Sequence, residues 1–234
     1  MVGESIRAPR RLADATTKEA DRWGPVLLML PLGSTEQHGP HLPLSTDSMV
    51  AEALCSRLAD RRPDLVLAPT LAFGASGEHQ GFAGTLSIGT EVLARLITEL
   101  VRSARGSVAG VVVVNAHGGN AEALRSASAT ASTDGDDLLV LSAHFPEADA
   151  HAGRTETSLL LALAPSLVRQ DEAMAGNTAP LSEIAHDLRH GGVRSVSPTG
   201  VLGDPAGASA QEGEVLLAGA VDRLLGSIDE RFPR

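Results

Sequence analysis

Four short apolar runs alternate along the chain with stretches in which apolar side chains recur every three or four positions. Val26 to Leu32 is one continuous apolar run ended by Pro31 and Gly33, the pattern of a strand buried on both faces of a parallel sheet. Leu65 to Ala68, Val111 to Val114 and Leu138 to Leu141 read the same way. Between them, Val50, Leu54 and Leu58 share a helical face. Val92, Leu93, Leu96, Ile97, Leu100 and Val101 share another behind a Thr90 N-cap, and Ala123, Leu124 and Ala127 share a third. The later chain is more helical. Thr157 to Leu163 stops at Pro165, and Leu181 to Arg189 stops at Gly191 and Gly192. A longer helix follows Ser209, which forms a capping box with Glu212 and carries Leu216, Ala220, Leu224 and Ile228 on one face. This alternation predicts a three-layer α/β/α fold with a mainly parallel central sheet, whose chemistry gathers at the carboxyl ends of the strands. The Gly/Pro-rich loops Asn177 to Pro180 and Ser195 to Gly207 are too short to divide the chain, so residues 1–234 are expected to form a single domain.

Composition narrows the function classes. The longest apolar run, Pro25 to Leu32, falls short of the about 20 residues that span a bilayer, so no membrane span is expected. The first twenty residues carry Arg7, Arg10, Arg11 and Lys18 without an apolar core, unlike a secretory signal, which points to the cytoplasm. A net charge of −10 without a basic cluster argues against a nucleic-acid partner. Aromatics make up only 2%, with no Tyr and one Trp, so a stacking platform is poorly supplied and the core must be aliphatic. The lone Cys55 falls on an apolar helix face, as a packed thiol does.

Candidate chemistry is concentrated in four segments. Gly33 to Asp47, GSTEQHGPHLPLSTD, follows a predicted strand and packs Glu36, His38, His41 and Asp47 into one loop. If the backbone is extended there, Glu36 and His38, two positions apart, face the same way and converge on one point. Asp47 opens the next helix, where the macrodipole also favours a carboxylate, so its position suits a ligand and a first-turn acid alike. His117 in NAHGGN lies at the end of Val111 to Val114 between residues that permit close approach. A hydrogen-bonded loop histidine and a metal ligand are both open readings there, and the glycines before Asn120 also suit an anion site at a helix start. HAGRTETS places His151 ahead of Glu156, which taken alone reads as a dipole-stabilising acid. The glycine-rich loop Gly74 to Gly89 carries Glu78 and His79, expected to hydrogen-bond to ligands rather than to be ligands. Three carboxylate/histidine groups at strand-to-helix loops are what a binuclear site requires, with ions about 3.5–4 Å apart. No GxSxG elbow is present, which disfavours a serine hydrolase.

GSTEQHGPHLPLSTD, GEHQGFAGTLSIG, VNAHGGN, HAGRTETS and GVLGDPAGA, in this order, resemble the creatininase family from about Pro31 to Gly207. The resemblance implies a three-layer α/β/α homo-oligomer, often a hexamer, that hydrolyses C–N bonds with two divalent metal ions, zinc, iron or manganese. It implies that Glu36, Asp47 and His117 hold one ion, and that His38, the bridging Asp47 and Glu156 hold the other. Glu156 stands in for a glutamate that creatininase carries at the position of Gly119. His151 matches the family's catalytic histidine, so His151 and Glu156 are the expected catalytic positions. The wording GASGEHQGFAGTLSIGTE, HAGRTETSLLLALAP and SPTGVLGDPAGA is closest to the branch associated with mycofactocin biosynthesis. Its members release the modified Val-Tyr-derived dipeptide from the carboxyl end of a precursor peptide. The alternatives are a small cyclic-amide or formamide hydrolase and a non-catalytic metal-binding scaffold. Arg154, His41, His144, His186 and His190 receive no role.

Overall fold

The computed structural model describes residues 10–146 and 148–234; Arg7 of the amino-terminal basic group lies outside them. Five strands form one sheet: β1 (Arg10–Arg11), β2 (Leu27–Leu32), β3 (Leu65–Leu67), β4 (Gly110–Asn115) and β5 (Leu138–Ser142). Their order is β1-β3-β2-β4-β5, and every pairing is parallel. The parallel α/β expectation is met, with β1 added at the edge. In β4 four consecutive valines are buried to 3% exposure or less. β-branched side chains fill both faces of a strand that has helices above and below it.

Among the described residues, the eight α-helices are α1 (Thr17–Ala20), α2 (Thr46–Arg61), α3 (Thr90–Ala104), α4 (Ala121–Asp134), α5 (Arg154–Leu163), α6 (Leu181–Gly191), α7 (Val193–Val196) and α8 (Ala210–Arg231). Alternate residues of β2 and β4 sort them into layers. Leu27, Met29, Val112 and Val114 pack with Leu54 and Leu58 of α2, Leu159 and Leu160 of α5, and Leu217 and Leu224 of α8. Leu30, Leu32, Val111 and Val113 face Leu93 and Ile97 of α3 and Leu124 of α4 on the other side. Each fully buried leucine contributes about 1.5–3 kcal/mol of hydrophobic stabilisation. Cys55 is completely buried on α2, as its apolar face predicts.

Two capping expectations are corrected. Gly89, not Thr90, occupies the N-cap of α3, because the chain enters the helix through φ 78°, which glycine adopts and threonine resists. Ser209 does accept the Glu212 N–H at the start of α8, but Glu212 does not bond back. Its carboxylate instead takes the stronger charge-assisted bonds from Arg154, plus the Ser158 hydroxyl at 2.7 Å. The capping box that does close is at α1, between Thr16 and Glu19.

The strand order decides where a ligand can sit. From β2 the chain enters α2 on one face, whereas from β4 it enters α4 on the other. The carboxyl ends of these neighbouring strands are therefore a topological switch point, where the two connections part and leave a crevice. Among the described residues no helix is long and apolar enough to cross a membrane.

Candidate metal centre

The loop leaving β2 is tied down before it reaches α2. The Glu36 N–H donates to the Leu44 carbonyl at 3.0 Å, and the Ser48 hydroxyl donates to the Ser34 carbonyl at 2.8 Å. Gly33 makes this possible, since a Cβ there would lie 2.4 Å from the Ser48 backbone nitrogen and Cα. At the end of β4, two asparagines knit three loops together. Asn115 donates to the His117 carbonyl at 2.8 Å. Asn120 donates to Asn115 Oδ1 and the Gly33 carbonyl, and accepts the Ala75 N–H at 2.8 Å.

These ties bring together residues from four segments. His38 Nε2 lies 3.1 Å from Asp47 Oδ1, and His117 Nδ1 lies 3.2 Å from Asp47 Oδ2. Glu36 Oε2 is 3.2 Å from His117 Nε2, and Glu36 Oε1 is 3.3 Å from His79 Nε2. Glu156 Oε2 stands 3.9 Å from His38 Nε2 and 4.0 Å from His151 Nδ1. Glu36 and His38 are completely buried and Asp47 is 3% exposed, so the acid at the start of α2 is turned inward. Glu36 and His38 do converge, as an extended backbone between them requires. His79 touches Glu36 directly, while the partly exposed Glu78 lies 3.6 Å from His117 Nε2.

Among the described residues, three groups of donor atoms lie close enough to share an ion: Glu36, Asp47 and His117; His38, Asp47 and Glu156; and Glu36, His38 and His151. Asp47 belongs to the first two, as a bridging carboxylate must. Both carboxylate oxygens of Glu36 are buried without a hydrogen-bond donor. A buried charge left in that state is costly unless a cation compensates it, and the mixed oxygen and nitrogen donors suit zinc, iron or manganese. The residues present thus fit a divalent metal pair.

Crowding carboxylates and imidazoles in a dry site displaces their titrations. Burial pushes the Glu36 carboxyl up to about 7, against the pull of the His117 charge, and burial raises Glu156 as well. Burial opposes a charge on His38, but Asp47 overcomes it and holds the imidazole at about 10. His117 is likewise opposed by burial, yet its bond to Asp47 and the Glu36 charge hold it at about 9. Desolvation works against ionised Asp47, but the cationic His38 keeps it well below the carboxylate range. Burial drives His79 down to about 3 and His151 well below its usual range.

Gln37, a residue the sequence reading passed over, orders the protons here. Its Oε1 accepts the Gly39 N–H at 2.9 Å, which fixes the amide orientation. His151 Nε2 lies 2.8 Å from the Gln37 carbonyl and therefore carries the hydrogen, leaving Nδ1 free toward Glu36 and Glu156. The two amide hydrogens of Gln37 then go to His79 Nδ1 at 2.8 Å and the Gly200 carbonyl at 3.2 Å. With Nδ1 accepting, the His79 hydrogen lies on Nε2, which is 3.3 Å from Glu36 Oε1 but does not make a hydrogen bond to it. Asp149 and Ala152 were also missed. Asp149 accepts the Arg154 and Thr155 N–H groups at the start of α5. Ala152, buried at φ 52°, aims its N–H at Glu156. The alternation of EQH and the flanking asparagines of NAHGGN were the available signals for Gln37, Asn115 and Asn120; no local pattern marks Ala152. His41 is buried against the Thr157 hydroxyl, His186 stacks on His190, and Arg154 pairs with Glu212, all outside the metal groups.

Residues 13–228 match the family profile described as creatinine amidohydrolase. The chain belongs to the creatininase family. It is 48% identical over 230 residues to the mycofactocin precursor peptide peptidase of Mycolicibacterium smegmatis, covering 94% of this chain and 92% of that one. It is 30% identical to the creatinine amidohydrolase of Pseudomonas putida, covering 90% and 91%. Among solved structures, a tryptophan-to-phenylalanine mutant creatininase superposes with a TM-score of 0.81 at 27% identity, covering 99% of this chain and all of that one. A mutant creatininase of Zn-Zn type gives 0.77 at 25% identity, with 99% and 100% covered. The creatininase resemblance read from the motifs is therefore borne out, as is its three-layer fold. The chain is a metal-dependent amidohydrolase of this family.

Proposed function

We propose that the protein, residues 1–234 acting as one domain, is a peptidase that releases the modified Val-Tyr-derived dipeptide from the carboxyl end of a mycofactocin-type precursor peptide. The observation that carries the chemistry is the sharing of Asp47 between two donor groups, one completed by Glu36 and His117, the other by His38 and Glu156. The 48% identity to a mycofactocin precursor peptide peptidase supports the substrate. A bound divalent pair supplies a Lewis acid for the amide carbonyl and lowers the pKa of water toward about 7. Zinc is the first metal to test, since a related creatininase is of Zn-Zn type.

The chain's own groups do the rest. His151, neutral through burial and carrying its proton on Nε2, presents the Nδ1 lone pair between Glu36 and Glu156, 4.0 Å from each. It is set to take a proton from attacking water, with both carboxylates stabilising the imidazolium, and to return that proton to the departing nitrogen. Gln37 holds the ring in that tautomer. The Ala152 N–H orients the Glu156 carboxylate, and the dry surroundings of Glu36 and Asp47 strengthen every charge interaction in the cluster. The protein is further proposed to work in the cytoplasm as a homo-oligomer, with the exposed apolar side chains of Leu44, Phe73 and Leu86 available for subunit contact.

The test is mass spectrometry of the products after metal-loaded protein meets a precursor peptide already modified at its carboxyl end. Release of the terminal dipeptide-derived product by the unmutated protein, and not by Glu36→Ala, is expected. An untouched peptide would refute the peptidase assignment and direct attention to small cyclic amides and formamides. Full activity of a His151→Ala variant would refute the proton-transfer role.

A further inference from the structure

Adjacent glycines follow His117, and only one is explained by packing. A Cβ on Gly119 would lie 2.4 Å from both His117 Nε2 and the Ala75 carbonyl, so no side chain fits there. A Cβ on Gly118 meets nothing within 4 Å, and the backbone there is not left-handed. The residue is exposed at the first position of a 3-10 turn, where most amino acids are sterically acceptable.

The cavities around the metal-ligand cluster supply a reason for the missing side chain. One of about 380 Å³ opens on the cluster, with Asp47 and Glu156 in its wall beside the apolar Val50, Phe145 and Leu159. A second, of about 620 Å³, lies on the Glu78 side. Gly118 lines both. A third cavity, of about 870 Å³, continues from the first along Asp149 and Leu181. Gly118 belongs to the wall of each of the first two, next to His117, and a Cβ there would enter open space.

We propose that Gly118 determines substrate size. By carrying no side chain it leaves the two cavities joined, so that an extended peptide lies across the cluster with chain on both sides of the bond to be cut. The apolar wall of the central cavity receives a non-polar side chain or ring next to that bond. This inference rests on the peptidase reading and adds the substrate's geometry. A bulky residue at position 118 would part the cavities and leave room for compact amides only.

The probe is a fluorescein-labelled precursor-type peptide in which the amide before the terminal dipeptide is reduced to CH2–NH, so that it stays intact. A fragment ending at that bond serves as a one-sided control. Anisotropy titrations on zinc-loaded protein are expected to show at least tenfold weaker binding of the full probe to Gly118→Phe, with the fragment within about threefold and Gly118→Ala intermediate. Zinc content of Gly118→Phe should match the unmutated protein and its melting temperature should not fall, because the added side chain enters open space and the unfolded chain loses a glycine's freedom. Equal weakening of both probes overturns the proposal, as does unchanged binding of the full probe. Binding that follows the expected pattern, in a protein that leaves the unreduced peptide uncut, refutes the peptidase reading while supporting the groove.

Discussion

Replacing Glu36 with glutamine should stabilise the metal-free protein and remove its stabilisation by metal. Both Glu36 oxygens are buried without donors, and burial raises the carboxyl from 4.5 to about 7. At about 1.36 kcal/mol per pH unit, ionising it in the folded state costs about 3 kcal/mol once the pH exceeds the folded value. The sign follows from the direction of the shift. Below pH 4.5 the group is protonated whether folded or unfolded and costs nothing; the cost grows between 4.5 and about 7 and is complete above that. An amide of the same shape avoids the charge but is itself imperfectly hydrogen-bonded, which takes back about 1–2 kcal/mol. The net gain at pH 8 is then about 1–2 kcal/mol, a rise in melting temperature of about 2–8 °C for a chain of this size. Near pH 5, where the charge costs less than about 1 kcal/mol, the gain should be gone and the amide's unmet hydrogen bonds should leave a small loss. Metal at 100 times its dissociation constant stabilises the unmutated protein by about 2.7 kcal/mol, and the variant should lose most of that. Differential scanning fluorimetry after chelation, with and without added zinc, reads all four states. A variant that melts lower than the unmutated protein at pH 8 without metal, yet shows the full zinc-induced rise, would refute the reasoning.

His151→Gln should lower kcat by about 10²–10⁴-fold while bound metal stays the same, because the ring moves protons rather than completing either donor group that contains Asp47; metal analysis beside steady-state kinetics checks this, and lost metal would make His151 a ligand. Zinc binding at pH 7.5 should release about two protons, since His38 and His117 are held at about 10 and about 9 and must give up their protons to coordinate. Calorimetry in buffers of different ionisation enthalpy measures that number, and zero release would contradict the charge assignment. Affinity for zinc should accordingly rise with pH up to about 10. Gly33→Ala should cost about 2 kcal/mol or more and weaken metal binding, as its Cβ would press within 2.4 Å of the Ser48 backbone and displace Asp47 with the start of α2; urea denaturation showing a loss under about 0.5 kcal/mol would argue against that close approach.

The sequence by itself determined four of the five strands and the main helix faces, because burial on both sides of a parallel sheet leaves continuous apolar runs and a half-buried helix leaves a 3.6-residue period, whereas the edge strand Arg10–Arg11 leaves neither. It placed β2, β4 and β5 within a residue or two, and it singled out Glu36, His38, Asp47, His117 and Glu156 by residue type and motif. At Asp47 and Glu156 it could not choose between ligand and first-turn acid, since both satisfy the same local electrostatics. The tertiary structure decided their orientation. A strand order in which β2 and β4 are neighbours, with connections leaving to opposite faces, gathers these side chains into one cluster in which Asp47 is buried and Glu156 stays partly exposed. Gln37 bridging His79 to Gly200, Asn120 reaching Gly33, and Gly118 lining two cavities also depend on contacts between residues far apart in the chain. Local pattern carries no information about such contacts. They arise only when helix packing on both faces of the sheet fixes which loops meet at its carboxyl edge.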